Sequence, residues 1–251
     1  SGQISDCEFL SICVIESEKG HGTVGIWNLM IEDELQLASV ISHAIEHDEN
    51  SHFHFSRFLI LLNEHNIPIA AGCAFPSPPC GLFESKTGLC KAMTAIIPNC
   101  SEKEANERWE KGIYFLLDAY PNIDWENTWV IDCLYTIPAH RGHGYGRTIL
   151  NALYEQGHRN PLCRIQCKDQ HDPNSNSNSK EDESKSKSES IDIDTVSFFD
   201  KSILACVVGN NTARSLYIKN GYVDSLGVGN SDKCMSILGC SGFEMLSRPY
   251  V

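Results

Sequence analysis

The chain has 251 residues, 41% of them apolar, enough for one large domain or two small ones with a proper core. Its formal net charge is −13 and its pI is near 5.1, which argues against general nucleic-acid binding, because affinity for phosphate backbones comes mostly from Lys and Arg. No apolar stretch reaches the roughly 18–20 residues that a membrane span needs, and no signal-peptide pattern precedes the first residues. A soluble, cytoplasmic protein is expected, with neither nucleic acid nor membrane as a partner. Several of its 12 cysteines, such as Cys73, Cys133 and Cys206, lie inside apolar runs, where a reduced thiol acts as a small hydrophobe.

In chain order, "CEFLSICVI" at 7–15 reads as a strand. Residues 31–47 carry Ile31, Leu35, Leu37, Val40, Ile41, Ala44 and Ile45 at helical spacing. Four histidines follow closely, His43, His47, His52 and His54. The first two share a helix face, and surface histidines leading into a strand explain the group more simply than a metal does. The apolar runs 56–63 and 67–75, joined by "EHN", predict an antiparallel strand pair that the prolines at 76, 78 and 79 end. Residues 76–100 give no clear element. Ser101 and Glu104 have capping-box spacing at the head of a helix over 101–119. After the loop "YPNIDWEN", residues 128–137, "TWVIDCLYTI", have the aromatic and branched content of a central strand, stopped by Pro138.

A helix over about 146–156 follows, with Ile149, Leu150, Leu153 and Tyr154 on one face. His158, Cys163, Cys167 and His171 come next. Three residues separate the two cysteines instead of the two of most zinc ribbons, and no metal is expected. Residues 172–190 are Asn/Ser-rich and then of mixed charge, an insert that cannot bury a core and is expected to be disordered. "ILACVV" at 203–208 reads as a buried strand. "NNTARSLYIKNG" reads as a short helix with Asn210 or Asn211 at its N-cap and Gly221 at its end. "YVDSLGV" and "KCMSILGC" read as closing strands. The order is that of a mixed α/β fold, a single domain over 1–251 interrupted at about 170–192.

The segment "HRGHGYGR" between strand and helix is built to hold an anion. Its glycines, Gly142, Gly144 and Gly146, alternate as G-x-G-x-G. A dinucleotide loop needs G-x-G-x-x-G after a first strand, and a P-loop needs Gly-Lys-Ser/Thr; neither is present. Glycine permits a tight turn and a close backbone approach, a helix start adds its dipole, and Arg141 adds charge.

Here the chain resembles the GNAT superfamily of acetyl-CoA-dependent N-acetyltransferases. Arg141, Gly142, His143, Gly144, Tyr145 and Gly146 match its R/Q-x-x-G-x-G/A signature after a strand ending in hydrophobic-x-Pro. Asn210, Ala213, Leu216, Tyr217, Gly221 and Tyr222 match its later block, N-x-x-A-x-x-L-Y-x-x-x-G-F/Y. The likeness covers roughly 128–222; residues 1–75 share only the pattern of elements. It implies a mixed, mostly antiparallel sheet with helices on both faces and a splayed parallel pair, 128–137 and 203–208, holding acetyl-CoA. The arm of the cofactor would run along Leu134, Tyr135, Thr136 and Ile137, with Asn210 and Ala213 opposite. Residues 141–147, Arg147 included, would take the pyrophosphate. A backbone amide near Leu134–Thr136 would polarise the thioester carbonyl.

The same resemblance implies roles for side chains. Asp132 is the expected general base, with Glu126 as the alternative, and Tyr217 is the expected proton donor to the leaving thiolate. The acceptor is a primary amine of a small molecule. The Asn/Ser/Lys-rich insert resembles those of protozoan parasite proteins. On that likeness of style the favoured acceptor is an amino-sugar phosphate such as glucosamine 6-phosphate, as in divergent apicomplexan-type enzymes. Arg57, Lys111, His140 and Arg214 are the cations available for its phosphate. Polyamines, protein N-termini and lysines are alternatives, and a non-catalytic acetyl-CoA sensor is the alternative outside enzymes. A homodimer formed through the terminal strands is a further expectation of the family.

Overall fold

The computed structural model describes residues 2–19, 24–77, 85–119, 125–159, 199–229 and 231–250. Among the described residues the sheet has six strands: β1 (Phe58–Leu62), β2 (Pro68–Ser77), β3 (Thr128–Thr136), β4 (Lys201–Val207), β5 (Val223–Val228) and β6 (Phe243–Pro249), in the order β1-β2-β3-β4-β6-β5. Only β3 and β4 run parallel; the other neighbours are antiparallel. The helices are α1 (Cys7–Lys19), α2 (Glu34–His47), α3 (Lys86–Ile96), α4 (Glu102–Ala119), α5 (Tyr145–Arg159), α6 (Asn211–Lys219) and α7 (Ser231–Leu238). This is the mixed sheet with one parallel pair that the sequence implied. The low-complexity insert, with Cys163, Cys167 and His171, lies outside the described residues. Among the described residues no helix is long and apolar enough to cross a membrane.

Two expected strands are helices. Residues 7–15 open α1, whose buried Cys7, Leu10, Ser11 and Val14 recur at i, i+3, i+4 and i+7, the stripe of a helix packed on one side. The Ile, Val and Cys content made the run look extended, and packing overrode that preference. Residues 233–240 fall largely in α7. There Cys234 and Leu238, one turn apart, are buried, while Met235, Ser236 and Ile237 between them are exposed. Helix α3, in the stretch that gave no clear element, buries Leu89, Ala92 and Met93. Half of the expected capping box forms: Ser101 Oγ accepts from the Glu104 amide at 3.2 Å, but Glu104 pairs with Arg108 at 2.9 Å instead of reaching back.

The two faces of the sheet are covered by different helices. On one, Leu10, Val14, Ile41, Ile45, Leu89 and Trp109 of α1 to α4 join Cys73, Cys133 and Tyr135 of the sheet. On the other, Ile149, Leu150 and Leu153 of α5 and Tyr217 of α6 pack on Ala70, Ala74, Trp129 and Ile131. Trp129 Nε1 donates to Leu153 O at 3.0 Å, and both Gly72 and Gly157 allow α5 to lie close. A Cβ at Gly157 would sit 2.5 Å from the Trp129 ring, and one at Gly72 would sit 3.0 Å from Leu153. These contacts hold α5 against β2 and β3, and the glycine loop joins its start to the end of β3.

Candidate active site

The site begins with a fault in a strand. Along the β2–β3 ladder Ala71 faces Tyr135 and Cys73 faces Asp132, so Gly72 opposes two residues, Cys133 and Leu134. Cys133 takes φ 53°, the left-handed region that a non-glycine residue seldom enters. Such a bulge re-aims side chains and bends its strand. Trp129, Ile131 and Leu134 pack on the α5 side, whereas Cys133 and Tyr135 join the α1 side. Strict alternation would have put Cys133 with Ile131.

Beside the bulge the parallel pair comes apart. The β3–β4 ladder consists of Thr128↔Lys201, Trp129↔Ser202 and Val130↔Ile203. From Ile131 onward the facing edges do not pair, and they border a cavity of about 490 Å³, counting space open to solvent. Its walls include Glu18, Asp132, Leu134, Cys206, Asn210 and Tyr217.

Asp132 reaches this gap from β3. Its Oδ1 accepts the Cys133 amide at 2.8 Å. Burial pushes its carboxyl up, while that amide and a hydrogen bond from Glu18 pull it down. Glu18, near the end of α1, is pushed well above the usual carboxylate range, by burial first and then by the charge of Asp132. Sequence reasoning missed Glu18 because only residues 7–15 of its segment were given an element, and that a strand. The signal was present: residue 18 continues the stripe of Cys7, Ser11 and Val14.

Tyr217 comes to the gap from α6, 8% exposed, and burial raises its phenol so that it stays protonated. Its hydroxyl has no hydrogen-bond partner among the described residues. Asn210 caps α6, accepting the Ala213 amide at 3.2 Å, and both residues line the gap. Cys133 and Cys206 lie in its walls as well. Burial raises both thiols, Cys206 to about 12, so they stay protonated and make poor nucleophiles.

Not every expected site residue meets the gap. Glu126 is exposed at the far end of β3, where the strands are still paired, and does not line the cavity. Thr136 O accepts from Arg141 Nε at 3.0 Å and the Ile137 amide donates to Ile69 O at 3.0 Å, so those groups are already engaged. Of the four residues expected to carry the arm, Leu134 lines the gap. Tyr135 faces the α1 side with the Arg141 guanidinium over its ring at 5.6 Å.

The glycine loop continues from β3 into α5. Gly142 and Gly144 have φ 83° and 85°, and a Cβ on either would meet nothing within 4 Å. The ring of His143 stacks on Tyr145, with Nδ1 3.0 Å from Arg141 O. The first amides of a helix have no intrahelical acceptor, and those of Tyr145, Gly146 and Arg147 open α5 directly after the loop. The loop residues are solvent-exposed or half-buried, which suits a diphosphate-bearing ligand such as acetyl-CoA. Among the described residues no group of three or more His, Cys, Asp or Glu could hold a metal. His43 and His47 meet edge to face on α2 with ring centres 4.3 Å apart, His52 is buried against Ser85 at 2.7 Å, His54 bonds Ser56 at 2.7 Å, and His158 lies in the last turn of α5.

Residues 108–179 match the model of the Acetyltransferase (GNAT) family. The span runs from within α4 across β3, the glycine loop and α5, and ends before the Asn210 block. No curated protein matches the chain. Two solved structures resemble it along its length. One is described as an acetyltransferase, with 14% identity, TM-score 0.55, and 99% of this chain and 97% of that chain covered. The other is an N-acetyltransferase from Staphylococcus aureus Mu50, with 12% identity, TM-score 0.52, and 98% and 97% covered. At such identity the likeness is one of fold. Together with the matching segment it supports an acyltransferase of GNAT type.

Proposed function

We propose that the protein transfers the acetyl group of acetyl-CoA directly to a primary amine. The observation that carries this reading is the opening of β3 from β4 beyond Val130, with Asp132 and Tyr217 both in its walls and the glycine loop at the strand's end. Acetyl-CoA supplies an activated thioester. Residues 142–147 hold its diphosphate through backbone amides, and the unpaired edge of β3 at Ile131 to Leu134 holds its arm, with Asn210 and Ala213 opposite. An unpaired amide of that edge polarises the carbonyl as charge develops on its oxygen. Asp132 receives the proton that the amine must lose before it attacks. Tyr217, kept protonated by burial, donates to the departing sulfur. Holding both reactants in one gap supplies the orientation that direct transfer needs, and the protonated Cys133 and Cys206 fit a route without a covalent enzyme intermediate.

The acceptor is the finer question. Sequence style favours an amino-sugar phosphate such as glucosamine 6-phosphate, with polyamines, protein N-termini and lysines as the other candidates. Of the cations named for its phosphate, Arg57 donates to Ser51 O at 2.9 Å, Arg214 pairs with Glu244 at 3.1 Å, and Lys111 is exposed on α4. None of these, nor His140, is among the residues lining the gap. The test is a thiol-release assay with acetyl-CoA and a panel of glucosamine 6-phosphate, polyamines, amino acids and peptides. Release with at least one amine is expected. Tight acetyl-CoA binding with no release from any would replace this reading with that of a non-catalytic sensor.

A further inference from the structure

Resting on the transfer reading, we infer that Glu18 and Asp132 act as one unit, a carboxylate pair sharing a proton, which seats the acceptor's ammonium group and takes its proton. The acceptor is therefore a cationic amine without a phosphate. The juxtaposition comes from two distant parts of the chain, the end of α1 and the bulge of β3. Both side chains line the same gap and keep partial exposure through it, and each carboxyl's proton affinity is set in part by the other.

The surroundings leave the pair without a resident cation. Facing it are Cys73 of β2, Cys133 of β3, Cys206 of β4 and Tyr217 of α6, all thiols or phenols that burial keeps neutral. Arg57 is felt at Cys73 but is not in the lining. Among the described residues the lining has two acids and no Lys, Arg or His. Two neighbouring buried carboxylates do not both ionise readily. Glu18 holds the proton and donates to Asp132, so the resting pair carries one negative charge, which an ammonium neutralises and a phosphate would oppose.

The protons balance. The ammonium gives one to the pair, which becomes neutral and later releases it to solvent. The free amine forms the C–N bond as the C–S bond breaks. Its second proton reaches the sulfur through Tyr217, which donates and is reloaded.

Two measurements test the pair. The first needs no turnover. Difference infrared titration of the wild type should show the carbonyl band of a protonated carboxyl persisting to neutral pH. The band should vanish in Glu18→Gln and titrate at lower pH in Asp132→Asn, where the neighbouring charge is gone. A missing band, or one that persists in Glu18→Gln, overturns the pair.

The second measurement is thiol release across pH with spermidine and glucosamine 6-phosphate. The wild type should prefer spermidine, and Asp132→Asn should lose about 100-fold or more in kcat. Glu18→Ala should move the acid limb of kcat/KM to higher pH, since Asp132 loses the hydrogen bond that holds its carboxyl down. Glu18→Gln, whose amide can donate in its place, should bring the limb back. Identical limbs in the wild type and Glu18→Ala, or a preference for glucosamine 6-phosphate, overturn the inference. No release from the wild type with any amine overturns the transfer reading and the pair's role in it, whereas the infrared band reports the pair by itself.

Discussion

Cys133 adopts a left-handed backbone in mid-strand, and that residue decides what faces the gap. By adding one residue to β3 it puts its own thiol on the α1 side and leaves Asp132 beside Glu18. At this scale the chemistry of the site is open to single substitutions. Tyr217→Phe removes a hydroxyl that has no partner among the described residues, so folding should be little affected. Turnover should fall by about ten- to a thousand-fold, the range of general-acid effects, with acetyl-CoA affinity nearly kept. Steady-state kinetics beside calorimetry checks both, and unchanged kcat removes Tyr217 from the mechanism. Gly144 makes a different case. A side chain there would meet nothing within 4 Å, but φ is 85°, a conformation that costs an L-residue roughly 1–2 kcal/mol. Gly144→Val should abolish acetyl-CoA binding in calorimetry by turning the loop amides away and by filling the space the diphosphate needs. Retained binding would count against the loop as the diphosphate seat.

Among the elements, α5 is held by close approach. Trp129 donates to Leu153 O, and Gly157 leaves room for both Trp129 and Tyr250. A methyl group at 157 would stand 2.4 Å from the Tyr250 hydroxyl and 2.5 Å from the indole. Gly157→Ala should therefore cost about 1–3 kcal/mol, the usual penalty of overpacking, seen as a lower denaturant midpoint. A midpoint equal to that of the wild type would mean that α5 shifts freely. Helix α1 carries the opposite lesson. Its composition favours a strand and its spacing favours a helix, and the stripe that continues to Glu18 is what brings a second carboxylate to the gap.

Over the whole molecule, the two parts of the sheet, β1-β2-β3 and β4-β6-β5, meet at only three ladder pairs. A ligand in the gap touches both. Saturating acetyl-CoA should raise the unfolding midpoint in thermal denaturation, by the equivalent of about 2.7 kcal/mol at a concentration 100-fold above Kd. The Gly144→Val protein should show no such rise, and a wild-type midpoint that ignores acetyl-CoA would argue against binding in the gap.

Much of this architecture was legible beforehand because it rests on local chemistry. The run 128–137 is a strand by its branched and aromatic residues, α2 and α4 by their apolar period and caps, and the glycine loop by residues whose conformations others rarely adopt. Those signals need only near neighbours in the chain. Periodicity alone left 7–15 and 233–240 misread, because short apolar runs fit either a strand or a helix until a packing surface selects one. The bulge at Cys133, the end of the β3–β4 ladder at Val130 and the meeting of Glu18 with Asp132 depend on segments far apart in the chain, more than a hundred residues apart in the last case. Tertiary packing alone decided them, since a carboxyl's protonation and a strand's last hydrogen bond are set by what lies across the sheet.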